Sequence, residues 1–302
     1  MMKKTALSFI FLLSILFLCS CNKNDELGKN SIVTTVYADF NNRKYTFWAE
    51  TTSFLSEEKE DAVLYTAEGI TPDEAWLKLK SEFPDTPYFG HLKAIVLGEG
   101  FFRESTKPLL KFLLSENSLS PNAAIYITNK KPQDFSIQSI GKMSANKSLP
   151  VIELYTFFSP SSYCSDIPIL EIKDKQPLCR STAVIENFSY KYTLSDNYFD
   201  IYSIIKNRNY IKFYHSFEIK ESSSHIKTKN KKLHLGLKIN FGTFVSSSDY
   251  EIKNLIKKDI KALISHLVDN KLSYILTNET FEGYTEDIKI LTEESSKIRY
   301  RK

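Results

Sequence analysis

The first twenty residues constrain this chain more than any other stretch, because they decide the compartment in which the rest has to fold. Lys3 and Lys4 give a positive start, and residues 6–18 (ALSFIFLLSILFL) form an apolar run broken only by Ser8 and Ser14. That is the layout of a secretory signal peptide. As a helix the run would reach about 20 Å at ~1.5 Å per residue, short of the ~30 Å hydrocarbon core of a bilayer. Residues 1–20 are therefore expected to direct export and then be removed, not to stay as a span.

The end of the run carries the next step. Leu18-Cys19-Ser20-Cys21 resembles a bacterial lipobox: an aliphatic residue at −3, small residues next, and a cysteine whose thiol receives a diacylglycerol. Cys21 fits as the lipidation site. Cys19 fits worse, because Leu18 would then occupy the small-residue position. Each buried CH₂ of an acyl chain contributes about 0.8 kcal/mol, and stable anchoring takes two such signals, which a diacylated cysteine supplies. Residues 22–30 (NKNDELGKN) are polar and read as a tether that keeps the fold beside the bilayer.

The remainder of the chain is long enough for more than one core. A chain of 302 residues exceeds the ~100–200 residues of a usual domain, and the scarcity of Gly (9) and Pro (10) against 17 Tyr and 21 Phe argues against long disordered linkers. The pattern predicts an α+β chain, mixed β-sheets with packed helices in two to three small domains. Residues 31–39 and 44–51 alternate like a hairpin around Asn41-Asn42. Thr71-Pro72-Asp73-Glu74 is a helix start with cap, first-turn proline and acid, putting Ala75, Leu79 and Phe83 on one face with Trp76 near it. Residues 93–97 and 123–128 read as buried strands and 105–116 as a helix. These elements define an N-terminal domain over 31–140.

Residues 141–181 lose this regularity, punctuated by Pro150, Pro160, Pro168 and Pro177, and read as an irregular middle region or a reduced second domain. Cys164 and Cys179 lie in it. In an exported chain they can form a disulfide, closing a loop worth about 3 kcal/mol, or remain free buried thiols. The C-terminal α+β domain, 182–302, offers strands at 182–193, 211–219 and 232–241. Its helix starts at Ser248, with Glu251 completing a capping box, and carries Ile252, Leu255, Ile256, Ile260, Leu263, Ile264 and Leu267 on one stripe.

Chemistry-bearing patterns are missing. The five histidines (His91, His215, His225, His234, His266) have no paired metal spacing, so no metal or cofactor is expected. Gly98-Glu99-Gly100 lacks the third glycine of a dinucleotide fingerprint, since Arg103 stands there, and reads as a turn. Glu57-Glu58 and Glu293-Glu294 sit in polar surroundings and read as solvated faces, not acid/base pairs. The formal charge of +4 falls to +2 once Lys3 and Lys4 depart, with basic and acidic residues interspersed along the chain. Nucleic acid is not implied, and no catalytic residue is expected.

Tyr88-Phe89-Gly90-His91-Leu92-Lys93-Ala94-Ile95-Val96-Leu97-Gly98-Glu99 resembles the signature stretch of the Ger(x)C family, the lipoprotein C subunits of spore germinant receptors. The lipobox Cys21, Glu26-Leu27, Ala67-Glu68-Gly69 before a helix, the leucine-rich 109–114 and Asn122-Ala123 come in that family's order, as do the Pro150 segment, Asp166-Ile167-Pro168 and the late capped helix. Two departures stand out: Asn22 replaces the tryptophan that usually comes after the acylated cysteine, and the chain is shorter than typical members, as if strands after the last long helix were lost. The resemblance implies a three-domain α+β protein on the outer face of the spore inner membrane, working with integral A- and B-type receptor subunits in nutrient-triggered germination. It also implies that His91, at the mouth of a buried strand, is a structural hydrogen-bonding residue. The rival reading is a solute-binding lipoprotein of a transport system.

Overall fold

The computed structural model describes residues 31–52, 63–158, 164–208, 212–215, 217–241, 249–277, 281–284 and 288–294. The signal peptide, Cys21, the tether, Glu57-Glu58 and Ser248 lie outside them. β1 (Ser31–Asn41) and β2 (Lys44–Thr52) form the expected hairpin, and β3 (Val63–Gly69) adds to β2. Thr71 caps α1 (Pro72–Glu82) by accepting from the Glu74 amide at 3.2 Å, while Glu74 reaches back to the Ile70 amide at 2.8 Å. Next along the chain come β4 (Pro87–Tyr88), β5 (Ala94–Leu97), α2 (Lys107–Ser115), β6 (Ala124–Ile127), α3 (Ile137–Ala145), β7 (Cys164–Lys173), β8 (Gln176–Glu186) and β9 (Ser189–Leu194).

These strands make one sheet in the order β3-β2-β1-β5-β6-β7-β8-β9, with β4 beside β1. Its centre is parallel, and helices cover both faces, as a parallel sheet requires. Successive residues therefore enter different cores. Ile95, Leu97, Ile125 and Ile127 pack with Trp76 and Leu79 of α1 and Leu109 and Leu113 of α2. Val96 and Tyr126 turn the other way, towards Ile137 and Ile140 of α3. The start of α3 is held by a strand residue: buried Glu50 of β2 accepts from Ser136 Oγ at 3.0 Å and from the Gln138 amide at 2.9 Å. A carboxylate there satisfies amides that have no partner within the helix and meets its positive end.

The second sheet comes after α4 (Asp196–Ile205) and holds β10 (Lys212–Tyr214), β11 (Phe217–Lys229) and β12 (Lys232–Phe241). After α5 (Asp249–Asp269) and α6 (Tyr274–Thr277) come β13 (Gly283–Tyr284) and β14 (Lys289–Glu294), both parallel to β12. Leu233, Leu235, Leu237 and Ile239 point inward against Ile256, Ile260, Leu263 and Ile264 of α5. Ser222 and Ser224 of β11 donate to the carbonyls of Ile204 and Ile205, closing the C-terminal end of α4.

Val184 of β8 and Leu194 of β9 belong to this second core, so the sheets share a joint. Its polar centre is Arg208, buried after α4, whose guanidinium pairs with Asp166 of β7 and lies over the Tyr202 ring at 5.1 Å. Thr182 Oγ1 donates to Asp166 as well, at 3.4 Å.

Four two-residue hairpin turns, Asn42-Arg43, Asp174-Lys175, Asn187-Phe188 and Asn230-Lys231, have both residues at positive φ. Asn or Asp leads each, as such turns favour, and Arg, Lys or Phe stands second, where glycine is usual. One of them corrects the expected strand at 182–193, which Asn187-Phe188 splits between β8 and β9. The expected strand at 211–219 likewise divides at His215 (φ 51°) into β10 and a β11 far longer than its polar sequence suggests. Two short strands come after the last long helix.

Residues 141–181 are not an irregular connector. They finish α3, make a 3₁₀ turn at Leu154–Phe158 and supply β7 and the start of β8 to the first sheet. The prolines misled: Pro177 stands near the first residue of its strand, and Pro168 lies where β7 meets β6 through the single pair Ile127–Ile169, so a missing N–H is tolerated. The disulfide reading is also corrected. Cys164 stands opposite Glu186 and Cys179 opposite Leu170. Six residues along a strand separate them, about 20 Å at ~3.4 Å per residue, against the ~7 Å limit between bridged Cα atoms. Cys179 is a free thiol.

Candidate functional site

The parallel strands β1, β5 and β6 end together, and ligands of open α/β sheets sit outside such carboxyl ends. Here the signature stretch finishes, in Gly98-Glu99-Gly100. The Gly98 amide donates to the Ala38 carbonyl at 2.7 Å, and the Gly100 amide to Asp39 Oδ1 at 2.8 Å. A Cβ on Gly100 would stand 1.7 Å from the Phe40 carbonyl oxygen, and one on Gly98 2.4 Å from Asp39 Cγ. Both glycines are thus required by the close approach of the turn to the end of β1, with no phosphate involved. Residues Glu99–Phe102 form a 3₁₀ turn that buries Phe101 in the core, and Arg103 pairs with Glu99.

Beside this turn lies a cleft of about 350 Å³ bordered by Tyr37, Asp39, Arg43, Gly100, Arg103 and Lys130. Its polar groups are largely engaged already. Tyr37 donates to the Lys130 carbonyl at 2.9 Å, and burial, with Asp39, Glu99 and Asp134 nearby, pushes its hydroxyl well above the ordinary tyrosine range. Asp39 Oδ1 accepts from its neighbour Phe40 as well as from Gly100. A tyrosine held neutral and a carboxylate tied to two amides give rigidity to the strand ends. They make no nucleophile with a base.

The other singled-out residues lie apart. Burial, and then the charge of Glu171, pushes the Cys179 thiol up, leaving it a poor nucleophile. His215 Nε2 lies 2.9 Å from Asp259 Oδ2, which also accepts from Tyr214. His266 contacts Tyr192 Oη at 3.0 Å and stacks on Tyr198 at the joint between the sheets. Among the described residues, no three His, Cys, Asp or Glu side chains come together as a metal site. His91, expected as a structural hydrogen-bonding residue at the mouth of β5, is exposed, its ring edge-on to Tyr88 at 5.3 Å. The buried members of the signature are Phe89, Leu92, the whole of β5 and Gly98, while Trp76, expected in the core, packs 4.4 Å from the Phe89 ring.

The outer surface of α1 and α2 is another matter. Ile70, 72% exposed at the entrance to α1, Leu77 of α1, 66% exposed, and Leu114 of α2 present apolar side chains to solvent. The two helices are tied by Lys80–Glu116 at 3.4 Å, and their inner faces already pack in the core. No sequence signal marked this surface, because Leu77 falls off the periodic stripe of α1 and Ile70 precedes it.

A family model described as the spore germination protein N-terminal domain matches residues 23–174. Among solved structures, the crystal structure of the GerBC protein is similar at 14% sequence identity, with 86% of this chain and 96% of that chain covered and a TM-score of 0.43. None of the curated proteins compared matches this chain. The matched residues run from the tether through α1, α2 and α3 into β7, half of the chain, and on that extent the protein belongs to the spore germination family whose N-terminal domain this is, the Ger(x)C family that residues 88–99 resemble.

Proposed function

We propose that this protein is a non-catalytic C-type subunit of a spore germinant receptor, held on the outer face of the spore inner membrane by lipid on Cys21 and assembled with integral A- and B-type subunits. The observation that carries the assembly reading is the solvent-facing apolar set on α1 and α2, on a pair of helices whose inner faces are already buried. Large apolar side chains left to solvent on elements whose inner faces are already packed are candidates for contact with a partner. The tether adds proximity: ten residues from Cys21 to the start of β1 reach at most about 36 Å at ~3.6 Å per residue, so the domain works beside the membrane.

The test is Leu77→Glu. The substitution is expected to leave the thermal midpoint unchanged while co-purification with the integral subunits and nutrient-triggered germination are both lost. Co-purification at the level of the unsubstituted chain would overturn the assembly reading at this surface. For the anchor, Cys21→Ala is expected to abolish acylation by mass spectrometry and release the protein from membranes. The solute-binding alternative draws on one feature, the cleft beside Gly100. Tight binding of a nutrient in calorimetry, lost on Arg103→Ala, would favour it.

A further inference from the structure

Along the sequence the charges of this chain are interspersed, yet the second sheet sorts them. β11 and β12 pair in a register that sets Lys229 opposite Lys232, Lys227 opposite His234 and Ser223 opposite Lys238. All of these are exposed and lie on the face turned away from α5. β14 extends the same face, with Lys289 aligned to Gly236 and Leu291, 64% exposed, aligned to Lys238. Glu221 of β11 is acidic and exposed on this face, Glu293 of β14 is aligned to Asn240, and Lys231 at the hairpin tip has Glu282 at 2.6 Å. In the first sheet, Lys44 of β2 stands against Glu68 of β3 and Lys191 of β9 near Glu186 of β8. Like charges directly opposite one another across a ladder are destabilising, so the Lys229–Lys232 pair does not serve the stability of the sheet.

We propose that this outward face of the second sheet docks against the anionic headgroups of a lipid bilayer. The inference rests on the anchoring reading above, which keeps the fold within the reach of a short tether, inside the zone where a flat cationic surface meets an anionic leaflet. A β-sheet face presents its lysines in one layer, Lys227, Lys229, Lys232, Lys238 and Lys289, and Leu291 among them supplies an apolar side chain for the headgroup boundary. Anionic lipid complements this charge, and each lysine brought close to such a surface strengthens partitioning by roughly fivefold. Docking through the second sheet would fix the orientation that an acyl chain alone leaves free.

The experiment uses the full processed chain with vesicles of phosphatidylcholine, alone or mixed with phosphatidylglycerol, and a water-soluble amine reagent read by mass spectrometry at each lysine. With anionic vesicles, Lys227, Lys229 and Lys232 are expected to label about fivefold or more slowly than with neutral ones, while Lys107 and Lys111 of α2 keep one rate. The protection should vanish at 1 M salt, where charge interactions are screened beyond ~3 Å. Equal labelling of the three strand lysines in both vesicles overturns the proposal. Protection by soluble poly(glycerol phosphate) with none by vesicles overturns it in favour of a polyanionic polymer.

Failure of the anchor is separately visible, as a chain that does not float with neutral vesicles. The Cys21→Ala chain then decides the face by itself. Its partitioning onto anionic vesicles is expected to fall by on the order of a hundredfold when Lys227→Gln, Lys229→Gln and Lys232→Gln are combined, with the thermal midpoint unchanged because all three point to solvent. Unchanged partitioning overturns the proposal.

Discussion

The two sheets solve the same packing problem in opposite ways. In the first, β5 and β6 are buried at every residue, because helices cover both faces and neighbouring residues go to different cores. In the second, β12 alternates strictly, with Leu233, Leu235, Leu237 and Ile239 inward and Lys232, His234 and Lys238 outward. The difference teaches where each sheet can meet something else. A sheet sandwiched between helices exposes only its helices and strand ends, so the first can offer a partner the outer side of α1 and α2. A sheet covered on one side leaves a whole face, and here that face is cationic.

The joint is where the comparison breaks most easily. Asp166→Ala takes the Asp166 carboxylate away from the buried Arg208 guanidinium, and removing one partner of a buried pair costs about 3–5 kcal/mol. The expected result is a large drop in the urea midpoint, with hydrogen exchange rising first at the amides of α4 and of β8, the strand that contributes to both cores. A change within about 0.5 kcal/mol, the range of ordinary surface substitutions, would show that the sheets are joined by apolar contacts alone.

A pair of neighbouring substitutions in each sheet sharpens the contrast in burial. In β5, Ile95→Ala should cost about 2–5 kcal/mol, and Val96→Ala should be clearly destabilising too, because it empties space in the other core. In β12, Leu235→Ala should cost about as much as Ile95→Ala, whereas His234→Ala should stay within about 0.5 kcal/mol. Denaturant unfolding of the four variants checks this. A substantial cost at His234 would mean that the outward face is covered in the folded protein.

The smallest expected effect falls in the signature itself. His91→Ala should shift stability by no more than about 0.5 kcal/mol, since the ring is exposed. A thermal shift of several degrees would restore the structural role that the family signature suggested. If germination were lost with stability intact, His91 would instead be a contact residue.

Local signals were legible wherever they acted locally. Thr71, Pro72 and Glu74 announced α1 because a capping interaction lies within four residues, and the seven-residue stripe from Ile252 announced α5 because one helix face supplies nearly all of its burial. β11 was illegible beyond its first residues: its run of Ser, His and Lys carries little apolar alternation, and its inward serines serve the carbonyls of α4, a partner about eighteen residues away. The cleft was half legible. Gly98 and Gly100 signalled a tight turn, but nothing before them named Asp39 and Phe40, some sixty residues earlier, as what the turn approaches.

By itself the sequence determined the export signal pattern, the α+β class, the family signature and most element positions, since these depend on residue type and short spacing. Only the tertiary structure decided that residues 141–181 continue the first sheet, that Cys164 and Cys179 stand apart on one hairpin, that Glu50 caps a helix from a neighbouring strand, and that interspersed lysines gather on one face. Each of these depends on which strands pair and in what register. Register is set by long-range packing, and a shift of one residue moves every side chain to the opposite face of its sheet.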